Sequence, residues 1–156
     1  MASSTNNKRR GLLVALAGSF TFLAVTRRSA HGAEMEAIAQ PGTWDDAAFV
    51  ARAFDMQALA LASGDQGYGA VVVRAGIIVG QSPSHVVVHR DPTAHAEMEA
   101  IRDAARRLKT RDLSDCTLYS SSPACPMCEA AAYWAGIERM VYGMAAQEGG
   151  SPRLCG

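Results

Sequence analysis

Asp91-Pro92-Thr93-Ala94-His95-Ala96-Glu97 is the first of two short clusters of reactive side chains in this chain of 156 residues. The second is Pro123-Ala124-Cys125-Pro126-Met127-Cys128. Each cluster stands where a helix is predicted to begin, after a strand or loop that would bring the helix start to one edge of a sheet. The spacing therefore predicts that one imidazole, one carboxylate and two thiols meet at a single site.

These four side chains have the chemistry of a catalytic zinc site. One imidazole and two thiolates supply three ligands, and a zinc ion used in catalysis keeps a fourth position for water. Zinc lowers the pKa of bound water to about 7, so that water becomes a nucleophile at neutral pH. Glu97 lies two residues from His95 in the sequence and can carry protons. We also expect the helix N-termini to lower the pKa of the thiols, because they carry partial positive charge.

The first 33 residues have the pattern of an export signal rather than of a folded domain. Lys8-Arg9-Arg10 precedes sixteen uncharged, mostly apolar residues, 11–26. This run is shorter than the roughly 20 residues that span a bilayer. The adjacent arginines resemble a twin-arginine signal. We therefore predict export to the periplasm or cell envelope of a bacterium, with no stable membrane span after cleavage. An uncleaved membrane anchor is the alternative.

Helical and β patterns alternate along the rest of the chain. A helix is predicted from Thr43, which would cap it, to Ser63-Gly64, and a β-hairpin follows. The two later strands are joined by a helix, so we expect them to be parallel. The order α-β-β-α-β-α-β predicts an α/β fold, a three-layer α/β/α sandwich with a mixed central sheet. The predicted ranges after the first helix are 70–74, 77–80, 94–108, 116–120, 125–135 and 139–143.

The two clusters together resemble the cytidine deaminase-like superfamily of zinc nucleobase and nucleoside deaminases, whose signature pairs His-x-Glu with Cys-x-x-Cys. The nearest members look like bacterial guanine deaminases and tRNA adenosine deaminases. Residues 69–73 are similar to the Gly-Ala-Val sequence that opens a strand in these enzymes. Residues 132–135 resemble the guanine deaminases more than the tRNA adenosine deaminases. The resemblance implies a zinc deaminase domain over residues 43–143. It also implies zinc ligands at His95, Cys125 and Cys128, and a catalytic proton carrier at Glu97.

The chain departs from the family pattern in three places. Pro123-Ala124 stands where the family usually has Glu-Pro, and Ser84 stands where it has a substrate-contacting asparagine. We therefore predict Ser84 as a substrate contact, with Ala70 and Ala94 as further contacts. Residues 144–156 look like an irregular tail, so the last strand and helix of the family are expected to be missing. A second copy of the chain, in a homodimer, would cover the sheet edge exposed in this way.

Charge and motifs together predict the substrate class. From residue 34 onward the chain has ten basic and fifteen acidic residues, a net charge of −5, whereas nucleic-acid binders usually present a basic surface. We predict a zinc-dependent hydrolase that deaminates a small nucleobase or nucleoside, above all a guanine-type purine base, and releases ammonia. Three alternatives stay open: a tRNA adenosine deaminase, an exported thiol–disulfide redox protein that uses Cys125 and Cys128, and an inactive relative that keeps zinc for stability.

Overall fold

The structure is a computed structural model that describes residues 35–154, so the predicted export signal lies outside the described residues. Among those residues, no helix has the length and apolar character that crossing a bilayer requires. The helices are α1 (Asp46–Ala62), α2 (Ala96–Leu108) and α3 (Pro126–Ala135). The strands are β1 (Gly69–Arg74), β2 (Ile77–Pro83), β3 (Cys116–Ser120), β4 (Arg139–Tyr142) and β5 (Gln147–Gly150).

The strands of the described chain form one open, mixed sheet in the order β2-β1-β3-β4-β5. β1 is antiparallel to both β2 and β3, and β1 with β2 forms the predicted hairpin. β3 and β4 are parallel, as their helical connection through α3 predicts. β5 runs antiparallel to β4 at one edge. The mixed sheet of the predicted α/β fold is therefore confirmed.

β1 is buried on both faces, and its side chains alternate between two hydrophobic cores. Val71 and Val73 belong to the core that contains Phe49 of α1, whereas Ala70 and Val72 belong to the core that contains residues of α2 and α3. Alternate side chains of a strand point to opposite faces of the sheet, so α1 packs on one face, and α2 and α3 pack on the other. This arrangement confirms the three-layer sandwich.

Three predicted boundaries differ from the structure by two or three residues. Asp45, not Thr43, is the N-cap residue of α1, and its Oδ1 accepts a hydrogen bond from the Ala48 N–H at 2.8 Å. β2 continues to Pro83, beyond its predicted end at residue 80, because it is an edge strand and edge strands tolerate proline. α2 begins at Ala96 rather than at residue 94.

The predicted irregular tail is wrong for residues 147–150, which form β5. Gly143 and Ala146 have positive φ angles of 70° and 48°, and the turn between them reverses the chain so that it pairs with β4. Arg139 Nε donates a hydrogen bond to Glu148 Oε2 at 2.9 Å across the two strands. Gln-Glu-Gly-Gly has low strand propensity. This strand is therefore stabilised by its pairing with β4 and not by a local preference for the strand conformation. The described chain therefore has a fifth strand that the sequence analysis did not predict, and no helix follows it among residues 151–154.

Candidate metal and catalytic site

One edge of the sheet brings the two predicted clusters together. β3 ends at Ser120, which is paired with Ala70 at the start of β1. The next residue, Ser121, donates its N–H to Gly69 O at 2.9 Å, and its Oγ accepts the Gly69 N–H at 3.1 Å. The chain then passes through a short loop into α3. This helix therefore begins at the edge of the sheet where β3 ends.

His95 and Cys125 are the N-cap residues of α2 and α3. Both have extended backbones, with φ −62° and ψ 151° at His95 and φ −72° and ψ 165° at Cys125. An N-cap side chain commonly accepts a hydrogen bond from its own helix, but neither of these does. Asp91 and Thr93, just before α2, form a turn in which Asp91 Oδ1 accepts hydrogen bonds from the N–H and Oγ1 of Thr93. The side chains of His95 and Cys125 are therefore available for other contacts.

The donor atoms of His95, Cys125 and Cys128 form a nearly equilateral triangle. His95 Nδ1 lies 3.7 Å from each sulfur, and the two sulfurs are 3.5 Å apart. With Zn–S bonds of about 2.3 Å and Zn–N bonds of about 2.0 Å, a tetrahedral site needs ligand atoms about 3.5 to 3.8 Å apart. Imidazole and thiolate are also donors that zinc prefers. The separations of the three donor atoms therefore fit a zinc ion. Within the described chain, these residues form the potential metal-binding group.

Glu97 lies beside this triangle and is almost completely buried, with 5% of its surface exposed. The thiol of Cys128 donates to Glu97 Oε2 at a distance of 3.7 Å. Burial raises the pKa of the Glu97 carboxyl above its usual range, although a hydrogen bond from its own backbone N–H opposes the rise. The structure thus places the predicted proton carrier in contact with Cys128, one of the predicted ligands.

The environment of Cys128 corrects one expectation about the thiols. Burial raises the pKa of the Cys128 thiol, and the negative charge of Glu97 raises it further. At Cys128, which is fully buried, burial and Glu97 therefore outweigh the lowering of the thiol pKa expected from the helix N-terminus. A thiolate at this position needs a positive charge beside it. A metal ion bound by the two sulfurs and the imidazole would supply that charge.

A cavity of about 540 Å³ opens onto these residues. Its size falls in the range of sites that enclose small molecules. None of the lining residues is a lysine or an arginine, so the cavity suits a small ligand without a negative charge. The lining comes from the loop before β1, the start of α2 and the segment that leads into α3: Gln66, Tyr68, His95, Glu97, Ser122, Pro123 and Cys125.

The predicted substrate contacts Ser84, Ala70 and Ala94 are not among the residues that line this cavity. All three are buried, and Ala70 belongs to the core beneath α2 and α3. Ser84 is fully buried and its Oγ donates a hydrogen bond to Asp65 Oδ1 at 2.8 Å. Because burial and this bond already occupy the Ser84 side chain, the structure does not support its predicted contact with substrate.

Besides Ser122, the cavity contains two residues that the sequence analysis missed, Gln66 and Tyr68. Both lie in the loop between α1 and β1. A signal for them exists, because Gly67-Tyr68-Gly69 places an aromatic residue between two glycines directly before a strand. The start of β1 lies beside the end of β3 in an antiparallel pair, so this loop reaches the edge where α3 begins.

Comparison with known proteins identifies the family. A family model for the cytidine and deoxycytidylate deaminase zinc-binding region matches residues 43–144, which is more than half of the chain. The chain belongs to this family. The range that matches the deaminase family contains all four residues of the site, and zinc is the metal that the family description names. The thiol–disulfide alternative finds no support in this membership.

Members of the deaminase family are similar to the chain over part of their length. Guanine deaminase of Bacillus subtilis (strain 168) is 45% identical over 75 residues, which cover 48% of this chain and 48% of that protein. tRNA-specific adenosine deaminase of Aquifex aeolicus (strain VF5) is 40% identical over 83 residues, which cover 53% of this chain and 55% of that protein. The chain thus spans about half the length of the curated relatives that it matches.

The X-ray structure of guanine deaminase from Bacillus subtilis has the same fold as this deaminase-family chain. The TM-score is 0.59 and the sequence identity is 38%, and the match covers 67% of this chain and 69% of that chain. The sequence-based prediction of a cytidine deaminase-like α/β fold is therefore confirmed.

Proposed function

We propose that this deaminase-family chain is a zinc-dependent hydrolase that removes the amino group of a small purine base, guanine or a close relative, and releases ammonia. The observation that carries the proposal is the meeting of three metal-donor side chains and a buried carboxylate at one cavity. Family membership supports the reaction class, and similarity to Bacillus subtilis guanine deaminase supports the purine base.

His95, Cys125 and Cys128 would hold the zinc ion, since their donor atoms have the separations that a tetrahedral site needs. Zinc in such a site acts as a Lewis acid and makes water reactive near neutral pH. His95 and Cys125 are partly exposed and line the cavity, whereas Cys128 is fully buried. Substrate and water therefore reach this site from the side of His95 and Cys125.

Glu97 has the position of a proton carrier. Its side chain lines the cavity and also contacts Cys128, so the carboxylate borders both the metal site and the space for substrate. In the hydrolysis a C–O bond to water forms, the C–N bond breaks, and the leaving nitrogen gains a proton to depart as ammonia. A carboxylate in this place takes a proton from water and delivers it to that nitrogen.

The cavity and the charge of the chain favour a free base over RNA. The cavity of about 540 Å³ has no lysine or arginine in its lining, and residues 34–156 carry a net charge of −5. Binding to RNA phosphates normally uses basic side chains. Deamination of adenosine in tRNA is the second candidate function, because the Aquifex aeolicus enzyme is 40% identical over the matched region.

The deciding experiment combines metal analysis with ammonia release. Purified chain is assayed for zinc per chain and then offered guanine, adenine, cytosine, their nucleosides and a tRNA anticodon stem-loop. We expect about one zinc per chain, and ammonia from guanine or a related purine base. Ammonia from the stem-loop alone would favour the tRNA alternative. Bound zinc without ammonia from any compound would favour an inactive relative, and absence of zinc with a redox-active dithiol would overturn the proposal.

Export and a homodimer are two further parts of the proposal, and both rest on the sequence. The basic and apolar pattern of residues 1–33 supports export through a twin-arginine-like signal. We expect the chain in the periplasm of a bacterial host, and we expect it to stay in the cytoplasm when Arg9 and Arg10 are both changed to lysine. The same change at Arg27 and Arg28 is the control. Light scattering should give twice the mass of one chain.

A further inference from the structure

Asp65 is a buried carboxylate that has no part in the proposed chemistry. It lies three residues beyond the end of α1, and 7% of its surface is exposed. Its Oδ1 accepts hydrogen bonds from Ser84 Oγ at 2.8 Å and from the Gln66 N–H at 2.7 Å. Its Oδ2 accepts the N–H groups of Val87 and Val88 at 2.8 and 2.9 Å. One side chain therefore satisfies four donors from two separate segments.

The two segments that Asp65 joins are both next to the candidate site. Gln66 and Tyr68, in the loop before β1, line the cavity. Ser84, Val87 and Val88 belong to the loop between β2 and α2, which leads directly to His95.

Backbone hydrogen bonds continue the same connection. The Ser84 N–H donates to Tyr68 O at 3.0 Å, and the His85 N–H donates to Ala94 O, next to His95, at 3.0 Å. The path from the cavity wall to the start of α2 thus passes through Asp65 and Ser84.

The ionised state of Asp65 strengthens this connection. Burial raises the pKa of its carboxyl, but the hydrogen bonds from Val88, Ser84, Gln66 and Val87 outweigh burial and lower the pKa to about 2. The carboxylate is therefore ionised at neutral pH, and hydrogen bonds to an ionised acceptor are stronger than those between neutral groups. Asp65 is not itself among the residues that line the cavity, so it acts on a ligand only through its neighbours.

We propose that Asp65 is a positioning residue for base binding, which holds the Gln66 and Tyr68 wall of the cavity against the loop that leads to His95. The inference rests on the proposed function, because it concerns the same cavity. The ligand is a flat, uncharged heterocycle. The Tyr68 ring offers a face for stacking, and the Gln66 carboxamide offers one donor group and one acceptor to the edge of a base. Both side chains are exposed, so each is free to meet a ligand in the cavity.

The test is the variant Asp65→Asn, studied as the zinc-loaded full chain. Asparagine has nearly the same shape but one acceptor oxygen instead of two, so it cannot accept all four donors. We expect KM for the purine base to rise about tenfold, as for the loss of one or two hydrogen bonds, while kcat and zinc content stay near those of the wild type. The matched control is Asp115→Asn, at an exposed carboxylate that pairs with Arg74 at the far end of β1.

Ser84→Ala is a second variant, which removes one of the four donors. It should also raise KM, by a smaller factor than Asp65→Asn. An unchanged KM in both folded variants overturns the inference. A parallel fall of kcat, zinc content and thermal stability, without a separate effect on KM, assigns Asp65 a purely structural role and also overturns it. If Asp65→Asn does not fold, Ser84→Ala decides.

Amide hydrogen exchange separates failure of this inference from failure of the proposed function. Absence of ammonia release by the wild type counts against the proposed function. The positioning contacts are then read at the amides of Val87 and Val88, which donate to Asp65. Faster exchange of these amides in Asp65→Asn than in Asp115→Asn supports the contacts, and equal exchange overturns them.

Discussion

His95 and Cys125 occupy the same position in two different helices: each is the N-cap residue, and His95 Nδ1 lies 3.7 Å from Cys125 Sγ. An N-cap residue has an extended backbone, so its side chain is not part of the helical surface. Two helices that begin at one sheet edge can therefore bring these two donors together. Cys128, within the first turn of α3, completes the triangle.

Loss of a ligand thiol should remove the metal, whereas loss of another buried thiol should not. We expect Cys128→Ala to lower zinc affinity more than about 100-fold, because even outer hydrogen-bond partners of metal ligands contribute about 10- to 100-fold. Chelator should lower the melting temperature of the wild type but not of this variant. Cys116→Ala is the control, since Cys116 is a buried free thiol in β3 away from the metal-donor group. Equal zinc content in the two variants would contradict the ligand assignment.

Glu97→Gln should separate metal binding from turnover. The amide keeps the size of the side chain but cannot carry the proton, so we expect zinc to stay bound and kcat to fall by about 10²- to 10⁴-fold. Zinc analysis and ammonia release check the two parts. Glu99→Gln is the control, because Glu99 lies on the same helix and pairs with Arg102. Loss of zinc from Glu97→Gln would show that Glu97 has been given the wrong role.

Gly80 should be required for the close packing of α2 on β2. A Cβ atom at Gly80 would lie 2.5 Å from Ala104 N and 2.6 Å from Ala100 O, both backbone atoms of α2. We therefore expect Gly80→Ala to lower the free energy of unfolding by about 1 to 3 kcal/mol. Gly42→Ala is the control, because a Cβ there meets nothing within 4 Å. Urea denaturation measures both, and equal stability of the two variants would contradict the packing.

The contribution of Asp65 to stability should depend on pH. Its pKa is lowered from the ordinary 3.8 to about 2 in the folded chain. The folded state therefore favours the ionised form, and this stabilisation is present above about pH 4 and is lost as the pH falls through about 2. We expect the stability gap between wild type and Asp65→Asn to be largest above pH 4 and to shrink below it. Urea denaturation at a series of pH values measures the gap. A gap that stays constant with pH would contradict this prediction.

Much of the fold follows from local patterns. The hairpin of β1 and β2 and the parallel pair β3 and β4 could be predicted, because turn residues and a helical connection constrain them over short stretches. β5 could not be predicted, since Gln-Glu-Gly-Gly has little strand preference of its own. Its strand conformation depends on β4 and on the hydrogen bond between Arg139 and Glu148.

The predicted metal ligands and the predicted substrate contacts had different outcomes for a physical reason. The structure brings His95, Cys125 and Cys128 together because each lies at a helix start that the sequence marks clearly. It does not bring Ser84 to the cavity, because a hydrogen bond to Asp65 holds this side chain in the interior. Asp65 lies 19 residues from Ser84 in the sequence, and no local pattern relates the two.

The sequence by itself determined the chemistry of the site: one imidazole, two thiols and a carboxylate, placed at two helix starts by spacings of two and three residues. Only the tertiary structure decided which side chains form the cavity wall, that Cys128 is too deeply buried to ionise readily without a cation, and that Asp65 joins the two loops. The features that the sequence determined depend on neighbours within one helical turn. Those that the tertiary structure decided depend on packing between segments, such as the contact of Asp65 with Val87, 22 residues away.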